Sequence, residues 1–221
     1  MPTEQPHVLA VRVGRPRGIP FRGKIVQSAI TKVPVEGPVM LRQTNLDGDE
    51  QGDLALHGGV DKAVYLYAAQ DYEWWRSELG REIPDGLFGE NLTVSGDWLT
   101  SVRIGDRFQI GDAVVAANEP REPCFKLGVQ MSDQSFLKRF REAGRTGAYF
   151  TVITEGKLQA GDSIVALEAG DPANITIAEL HDLYVNGRAD RDRLAAALAG
   201  PDMTDGWRDW IDRRLAELAE E

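Results

Sequence analysis

Short apolar runs between glycine-rich turns recur through residues 1 to about 168, and they constrain the fold more than any other feature. Each run has the length of a strand and is rich in Val, Ile, Tyr or Phe, which pack well on a pleated sheet. The runs are HVLAVRVG, GKIVQSAI, GPVML, AVYLYA, NLTV, RFQIGDAVVAA, YFTVI and DSIVAL. The Gly111-Asp112 pair predicts a hairpin turn inside the sixth run. This pattern predicts a mainly β fold, a closed or nearly closed barrel.

Two helices are expected at the periphery of this barrel. The segment AAQDYEWWRSELG spaces its apolar residues by three and four positions and ends at Gly80. The segment SDQSFLKRFREAG has Ser132 or Asp133 as a candidate cap and ends at Gly144.

The pattern changes to helix near residue 170, which predicts a barrel domain over residues 1–170 and a small three-helix domain over residues 171–221. Thr176 and Glu179 form a capping box, and Asp190 can cap a second helix. A third helix is expected from about Thr204 to Ala219. Its apolar stripe consists of Trp207, Trp210, Ile211, Leu215 and Leu218. We expect Trp207, Trp210 and Leu215 to be buried and this tail to supply no residue to the chemistry.

The charge and the termini narrow the classes of function. The net charge of −10 disfavours a surface for nucleic acid, and residues 171–221 carry 12 acidic and 6 basic residues, a net charge of −6. The N-terminus lacks the pattern of a secretion signal, and no apolar run approaches the ~18 residues of a membrane span. The single cysteine excludes an internal disulfide framework and any multi-cysteine metal site. A cytoplasmic protein without membrane contact is therefore expected.

The stretch His57-Gly58-Gly59-Val60-Asp61-Lys62 is the first candidate site. Glycines allow a backbone to approach a ligand closely, and successive amides can cradle an anion. Lys62 adds a positive charge and His57 a group that titrates near neutrality. A tight turn with solvated charges explains the same residues equally well.

Asn91 in GLFGENLTV is the second candidate. A loop amide beside a strand often satisfies its own backbone. The functional alternative is that Asn91 reads a polar ligand.

Cys124 in EPREPCFKLG is the third candidate, and it is the only cysteine. Most such residues are small buried hydrophobes. Pro123 places this one at a strand end or in a loop, because proline cannot donate to a sheet ladder. The neighbouring cations Arg121 and Lys126 favour the thiolate, which can act as a nucleophile or bind a soft metal. A Cys-His nucleophile pair would have to use His57.

Five motifs in this order resemble the MOSC domain family, and within it the YiiM-type subgroup with its three-helix extension. They are NLDGDEQGDLALHGGVDKAVYLY, FGENLTV, IGDRFQIG, EPREPCFKLG and GAYFTVITEGKLQAGDSI, and the resemblance spans nearly the whole chain. The resemblance implies a MOSC-type β-barrel that binds the molybdenum cofactor, a molybdopterin, with one cysteine thiolate on the metal. Only Cys124 can take that place.

The resemblance also implies roles for residues around the cofactor. Its phosphate needs cations and backbone amides, so four cations are expected to converge on one pocket. These are Lys32, Lys62, Arg121 and Arg145. Gly58, Gly59, Asp61 and Lys126 are further candidates for cofactor contact. Asn91 is expected to read the cofactor or orient a metal ligand, and His57 to deliver a proton.

The implied activity is reduction of N-hydroxylated compounds, such as hydroxylaminopurine, with electrons from a separate reductase. No flavin or nicotinamide fingerprint is visible in the chain, which agrees with an external electron donor. Two alternatives remain open. One is a carrier that holds molybdopterin or handles sulfur through Cys124 without turnover, and the other is an interaction protein whose tail binds a reductase.

Overall fold

The computed structural model describes residues 5–52 and 58–220 of the chain. His57, a candidate proton donor, lies outside the described residues. The strands are β1 (Val8–Val13), β2 (Arg17–Phe21), β3 (Lys24–Ser28), β4 (Val33–Pro34), β5 (Val39–Leu41), β6 (Val64–Ala68), β7 (Leu92–Val94), β8 (Arg107–Ile110), β9 (Ala113–Pro120), β10 (Ala148–Thr154), β11 (Gly156–Leu158) and β12 (Ile164–Glu168). The helices are α1 (Ala69–Leu79), α2 (Phe125–Gln130), α3 (Phe136–Glu142), α4 (Ile177–Val185), α5 (Arg191–Ala197) and α6 (Asp205–Glu220), with a 3₁₀ turn at Val60–Lys62.

One sheet of eight strands dominates the fold, in the order β12-β8-β9-β10-β6-β7-β1-β4. All neighbours are antiparallel except β6 and β7. The pairs β5–β11 and β2–β3 stand outside it. The predicted hairpin at Gly111 is confirmed, since Ile110 pairs with Ala113 across the turn between β8 and β9.

The expected closed barrel is not found among the described residues. The two edge strands of the sheet are β12 and β4, and within the described residues they do not pair with each other. Strand β1 pairs with β7 along one side, and two partners share its other side. On that other side the end of β1 pairs with β4. Just before the start of β1, His7 forms an isolated bridge with Ser163 in the turn before β12. Hydrogen bonds of 2.9 Å from Val8 N to the Asp162 carbonyl and 2.7 Å from Ile164 N to the Pro6 carbonyl flank that bridge. Because no single strand covers this edge, the ladder does not close.

The predicted helices agree with the structure in most respects. Helix α1 ends at Gly80, whose positive φ of 61° suits glycine. The capping box of Thr176 and Glu179 is formed at α4, and the Asp190 carboxylate accepts from Arg193 N at 3.1 Å at α5. Helix α2, which directly follows Cys124, was not predicted. Across the described residues, no helix has the combination of length and apolar composition needed to cross a membrane.

The tail helices pack into the same apolar core as the sheet. Ile177, Leu180, Leu194 and Ile211 belong to one buried cluster with residues from seven strands of the large sheet. Trp207 is buried as predicted, whereas Trp210 and Leu215 are partly buried against the cluster. The division at residue 170 therefore remains a prediction about organisation.

Backbone hydrogen bonds fix the start of the tail on the loop before β8. Ile177 N donates to the Val102 carbonyl at 2.9 Å, and Ile104 N donates to the Ile175 carbonyl at 3.1 Å. The side chain of Asn174 adds a bond of 2.8 Å to the Ile104 carbonyl. These contacts hold α4 against β9, the strand that leads to Cys124.

A second, aromatic cluster lies under α1 and α3, and a buried carboxylate organises the loop beside it. Glu90 accepts from the Tyr72 hydroxyl at 2.8 Å, from Gly86 N at 2.7 Å and from the Thr93 hydroxyl at 2.9 Å. The Tyr72 hydroxyl in turn accepts from Phe88 N at 3.0 Å. Burial raises the pKa of Glu90, and these hydrogen bonds oppose that shift. The network fixes the loop that leads into Asn91.

The substitution Glu90→Gln is expected to destabilise the fold by about 1–3 kcal/mol, because an amide leaves at least one buried donor without an acceptor. Urea denaturation measures this. Glu78→Gln is the control: its carboxylate is on the surface, 3.3 Å from Arg139, and its loss should cost no more than about 1 kcal/mol. Equal losses in the two variants would contradict the structural role of Glu90.

The stability difference between the wild type and Glu90→Gln is expected to depend on pH. The folded-state pKa of Glu90 is raised above its ordinary value of 4.5, so the folded protein binds this proton more tightly than the unfolded chain. The resulting stabilisation is present below about pH 4.5 and is lost as the pH rises through the raised pKa. Denaturation curves from about pH 4 to neutrality should therefore show the wild type losing part of its advantage over Glu90→Gln. An advantage that grows with pH would overturn the sign.

Candidate functional site

Two adjoining cavities meet at Cys124. The inner cavity, of about 90 Å³, lies between the sheet and the segment that follows β3. The outer cavity, of about 580 Å³, lies between the hairpin β2–β3 and the tail helices. Residues that line both are Gly52, Lys62, Glu122, Cys124, Lys126 and Tyr149.

Cys124 sits in a four-residue connection from β9 to α2. Strand β9 ends at Pro120 and α2 begins at Phe125, so the prediction from Pro123 of a strand end or loop is confirmed. The Cys124 backbone is extended, and its carbonyl accepts from Leu127 N at 2.9 Å. The residue is half-buried. It is thus part of a cavity wall and not of a sealed core.

Arg121 is the buried cation of the inner cavity. It is 5% exposed, and its guanidinium lies 5.5 Å from the ring of Tyr65 and 5.4 Å from that of Phe140. Nη2 donates weakly to the Phe88 carbonyl at 3.4 Å, whereas Nη1 is buried and finds no hydrogen-bond partner within the described part of the chain. An unsatisfied buried donor is costly unless a ligand accepts from it.

Tyr149 lies beside Arg121 and lines both cavities. Burial raises the pKa of Tyr149 to about 12, although Arg121 opposes the shift. The phenol therefore stays protonated near neutrality and can donate a hydrogen bond into the site.

Lys32 and Asn91 converge on one buried carboxylate in the inner cavity. Asp49 accepts from Lys32 Nζ at 2.5 Å and from Gly14 N at 2.7 Å through Oδ1, and from Asn91 Nδ2 at 2.9 Å through Oδ2. Burial lowers the pKa of Lys32, while Asp49 opposes the shift. The charge of Lys32 is therefore largely neutralised by its partner.

The Asn91 amide is engaged by the protein on both sides. Its nitrogen also donates to the Arg12 carbonyl at 3.3 Å, and its oxygen accepts from Tyr65 N at 3.2 Å. Asn91 lines the inner cavity, yet these bonds join β1, β6 and the Asp49 loop. The geometry supports a residue that positions its neighbours.

Lys62 connects the site to the tail. Its Nζ lies 3.6 Å from Glu119 Oε1, and Trp207 Nε1 donates to Glu119 Oε2 at 3.1 Å. Burial raises the pKa of Glu119, and Lys62 opposes the shift. A tail residue thus helps to hold the carboxylate that positions a cation of the site.

Lys126 and Glu122 complete the charged lining. Lys126 is 6% exposed in the first turn of α2. Glu122 faces the site and also contacts Arg141 Nε at 3.3 Å and His181 Nδ1 at 3.2 Å. His181 belongs to α4. The tail therefore contacts the chain on both sides of Arg121, through Trp207 at Glu119 and through His181 at Glu122.

Arg145 does not join the other three cations, and the expected convergence of four is wrong in this respect. Its guanidinium is held by Asp71 at 2.5 Å and lies 5.0 Å from the ring of Trp74, and Arg145 is not part of the described lining of the inner cavity. Asp71 is buried and needs that partner. Lys32, Lys62 and Arg121 do line the inner cavity together.

The glycine pair lies outside the described cavity lining as well. Gly59 has a φ of 98° and opens the 3₁₀ turn that carries Lys62, so it serves the turn's geometry. Asp61 is exposed, and its carbonyl accepts from Asn118 Nδ2 at 2.7 Å. Contact between these residues and a cofactor stays a prediction.

Sequence reasoning missed several residues of the two cavities. They are Gly52, Gly89, Tyr149, Tyr184, Trp207 and Trp210. Tyr149 lies in the motif GAYFTVITEGKLQAGDSI, which carries part of the family resemblance, but neither the motif nor the resemblance assigned this residue to the site. The tail aromatics were assigned to a core, and no feature of the sequence distinguishes a half-buried tryptophan in a cavity wall from one packed between helices.

A family model described as the MOSC domain matches residues 53–165, half of the chain. The chain belongs to the MOSC domain family. Proteins of this family are associated with the molybdenum cofactor.

Two relatives and one solved structure match this chain over most of its length. The chain is 34% identical over 208 residues to the uncharacterised protein YflK of Bacillus subtilis, covering 94% of each. It is 30% identical over 202 residues to YiiM of Escherichia coli, covering 88% of each. The crystal structure of YiiM from Geobacillus stearothermophilus matches with a TM-score of 0.80 and 28% identity, over 95% of this chain and 99% of that one. The predicted membership of the YiiM-type subgroup is confirmed.

A fungal relative contains the same region within a longer chain. A protein of Gibberella moniliformis named "Reductase" is 39% identical over 177 residues, which are 77% of this chain and 31% of the fungal protein.

Two matched substitutions are expected to separate ligand binding from stability in this MOSC protein. Arg121→Met removes an unsatisfied buried donor while keeping much of the side-chain volume, so it should lower pterin content with little loss of stability. Arg145→Met should leave pterin content unchanged but destabilise the fold by about 3 kcal/mol, because it leaves Asp71 buried without its partner.

Pterin release and urea denaturation on both purified variants provide the measurements. The opposite pattern, with pterin lost in Arg145→Met and retained in Arg121→Met, would indicate an anion site at Arg145 and contradict the assignment of that site to Arg121.

Proposed function

We propose that this protein is a molybdenum-cofactor-dependent oxidoreductase that reduces N-hydroxylated compounds, such as hydroxylaminopurine, with electrons from a separate reductase. The observation that carries the proposal is the position of Cys124. This residue lines both the inner cavity of about 90 Å³, which also contains several cations, and the outer cavity of about 580 Å³. Cavities of that larger size suit organic ligands. A single thiolate at such a junction suits a metal brought by a cofactor.

The residues present fit that cofactor. A thiolate is a soft donor that suits molybdenum held by a dithiolene. The buried Nη1 of Arg121 calls for an acceptor, and the cofactor's phosphate is an acceptor of the right charge. Lys126, buried at the same wall, adds a second cation.

The remaining charges of the inner cavity are matched within the protein. Lys32 is paired with Asp49, Lys62 with Glu119, and Glu122 with Arg141. We therefore assign the main electrostatic part in cofactor binding to Arg121 and Lys126, and a positioning part to the Lys32–Asp49–Asn91 group.

When bound, the cofactor supplies the metal centre at which the N–O bond is reduced. Two electrons and two protons convert an N-hydroxylamine into an amine and water. Cys124 would hold the metal through Sγ. The Tyr149 hydroxyl and the Lys62 ammonium, both at the cavity junction, can donate hydrogen bonds to a polar group bound there. His57 stays our proposed proton donor on its sequence alone.

The electron donor is proposed to be a separate protein. A reductive activity is supported by the fungal relative named "Reductase". A basic partner surface suits the tail, whose net charge is −6, and such an attraction acts mainly on the association rate.

The substitution Cys124→Ser is expected to leave the fold intact but to abolish molybdenum retention and turnover, because a hydroxyl is a poor ligand for a soft metal. Elemental analysis for molybdenum, pterin release and reduction of hydroxylaminopurine with a chemical reductant measure the three consequences. Circular dichroism confirms the fold of the variant.

Three outcomes test the proposal against its alternatives. Full activity in Cys124→Ser would remove the central residue. Wild-type protein that holds molybdenum and pterin but never turns over would favour a carrier. A variant that fails to fold would favour a structural role for the thiol.

A further inference from the structure

The outer cavity has two chemically different ends. At one end lie Cys124, Lys62 and Lys126, which it shares with the inner cavity. At the other end the described lining comes from the tail: Tyr184 of α4 and Trp207 and Trp210 of α6. Neither lysine nor arginine is among these tail residues of the described lining.

The three tail aromatics form one packed group. The ring centroids are 5.5 Å apart for Tyr184–Trp207, 5.2 Å for Tyr184–Trp210 and 5.7 Å for Trp207–Trp210. Trp207 is fixed, since it is 8% exposed and its indole N–H is bound to Glu119. Tyr184 and Trp210 are only half-buried, and the guanidinium groups of Arg188 and Arg141 lie 5.0 Å and 6.0 Å from the Tyr184 ring.

Rigid, half-buried rings beside a polar end favour a flat apolar ligand with a polar group at one edge. Stacked or edge-to-face contacts between rings contribute about 0.5–1.5 kcal/mol beyond burial. An anionic cofactor is drawn instead to the end with the cations. The lining therefore favours different occupants on its two sides: the cofactor beside Cys124 and the buried Lys126, and an aromatic ring beside the tail aromatics.

We infer that Trp210 and Tyr184 are specificity-determining residues that bind the aromatic ring of the substrate. This inference rests on the proposed function. The tail, which the sequence suggested was remote from the chemistry, then forms the substrate-side wall of the site. The protein accordingly selects N-hydroxylated compounds that carry a planar ring over aliphatic ones with the same head group.

The test compares two hydroxamates that differ only in this respect: benzohydroxamic acid, with a ring, and acetohydroxamic acid, with a methyl group. Dissociation constants are measured by calorimetry on the cofactor-loaded protein without reductant. KM and kcat are then measured with a chemical reductant. The variants are Trp210→Leu, Trp210→Phe and, as a matched control, Trp74→Leu, whose indole is half-buried on α1 away from the cavity.

We expect Trp210→Leu to weaken benzohydroxamic acid by about fivefold in both Kd and KM, with kcat unchanged and acetohydroxamic acid unaffected. Trp210→Phe should restore most of the lost affinity, and Trp74→Leu should change neither ligand. Unchanged affinity for benzohydroxamic acid in Trp210→Leu would overturn the inference. So would equal weakening of both compounds, or loss of pterin, in a variant with native circular dichroism.

The design separates this inference from the proposed function. Reduction of both compounds with a KM that ignores Trp210 leaves the proposed function standing and removes the ring site. Trp210-dependent binding of benzohydroxamic acid without any turnover keeps the ring site and removes the reductase.

Discussion

The short passage from β9 to α2 is the constraint on which the site depends. Pro120 and Pro123 bracket it, and neither can donate a backbone hydrogen bond, so the strand cannot continue along its ladder. The chain leaves the sheet within four residues and starts a helix at Phe125. This departure turns Arg121 inward against Tyr65 and Phe140 and leaves Cys124 at the wall.

The sheet and the tail hold this passage from opposite sides. Arg121 N donates to the Gly147 carbonyl of the segment before β10 at 3.3 Å, which ties the passage to the sheet. On the other side, Trp207 binds Glu119 and His181 contacts Glu122. The two carboxylates stand on either side of Arg121 in the sequence. The position of the thiol thus depends on helices that begin more than 50 residues later in the chain, and a MOSC unit defined by residues 53–165 alone leaves out part of its own site.

Local signals in the sequence predicted local structure well. The hairpin at Gly111, the end of α1 at Gly80 and the capping box at Thr176 each depend on residues close in the chain, and all three are confirmed. Closure of the barrel was predicted wrongly because it depends on which strand covers the second edge of β1, and that edge is divided between two partners far apart in sequence. The succession of strands along a sequence does not specify which strands pair at the edges of the sheet.

Some expectations about the site also agree with the structure, and others do not. The approach of Lys32, Lys62 and Arg121 was expected from the family resemblance, and the structure brings them to one cavity. Arg145 stands in a similar glycine-containing motif, but it is drawn away by Asp71, a buried carboxylate that no motif marks as its partner. Trp210 was read as core because helical spacing reports which face is apolar, not whether a neighbouring element covers it.

The contact of Trp207 with Glu119 has a thermodynamic consequence. If the tail must be docked for Lys62 and the Cys124 passage to hold their positions, then any molecule that binds this site binds the docked form preferentially. By linkage, ligand binding must then strengthen docking by the same factor that docking strengthens binding. Partial opening of the helices and release of the ligand become one coupled equilibrium, so the occupied protein protects its own C-terminal segment from proteases and from slow amide exchange.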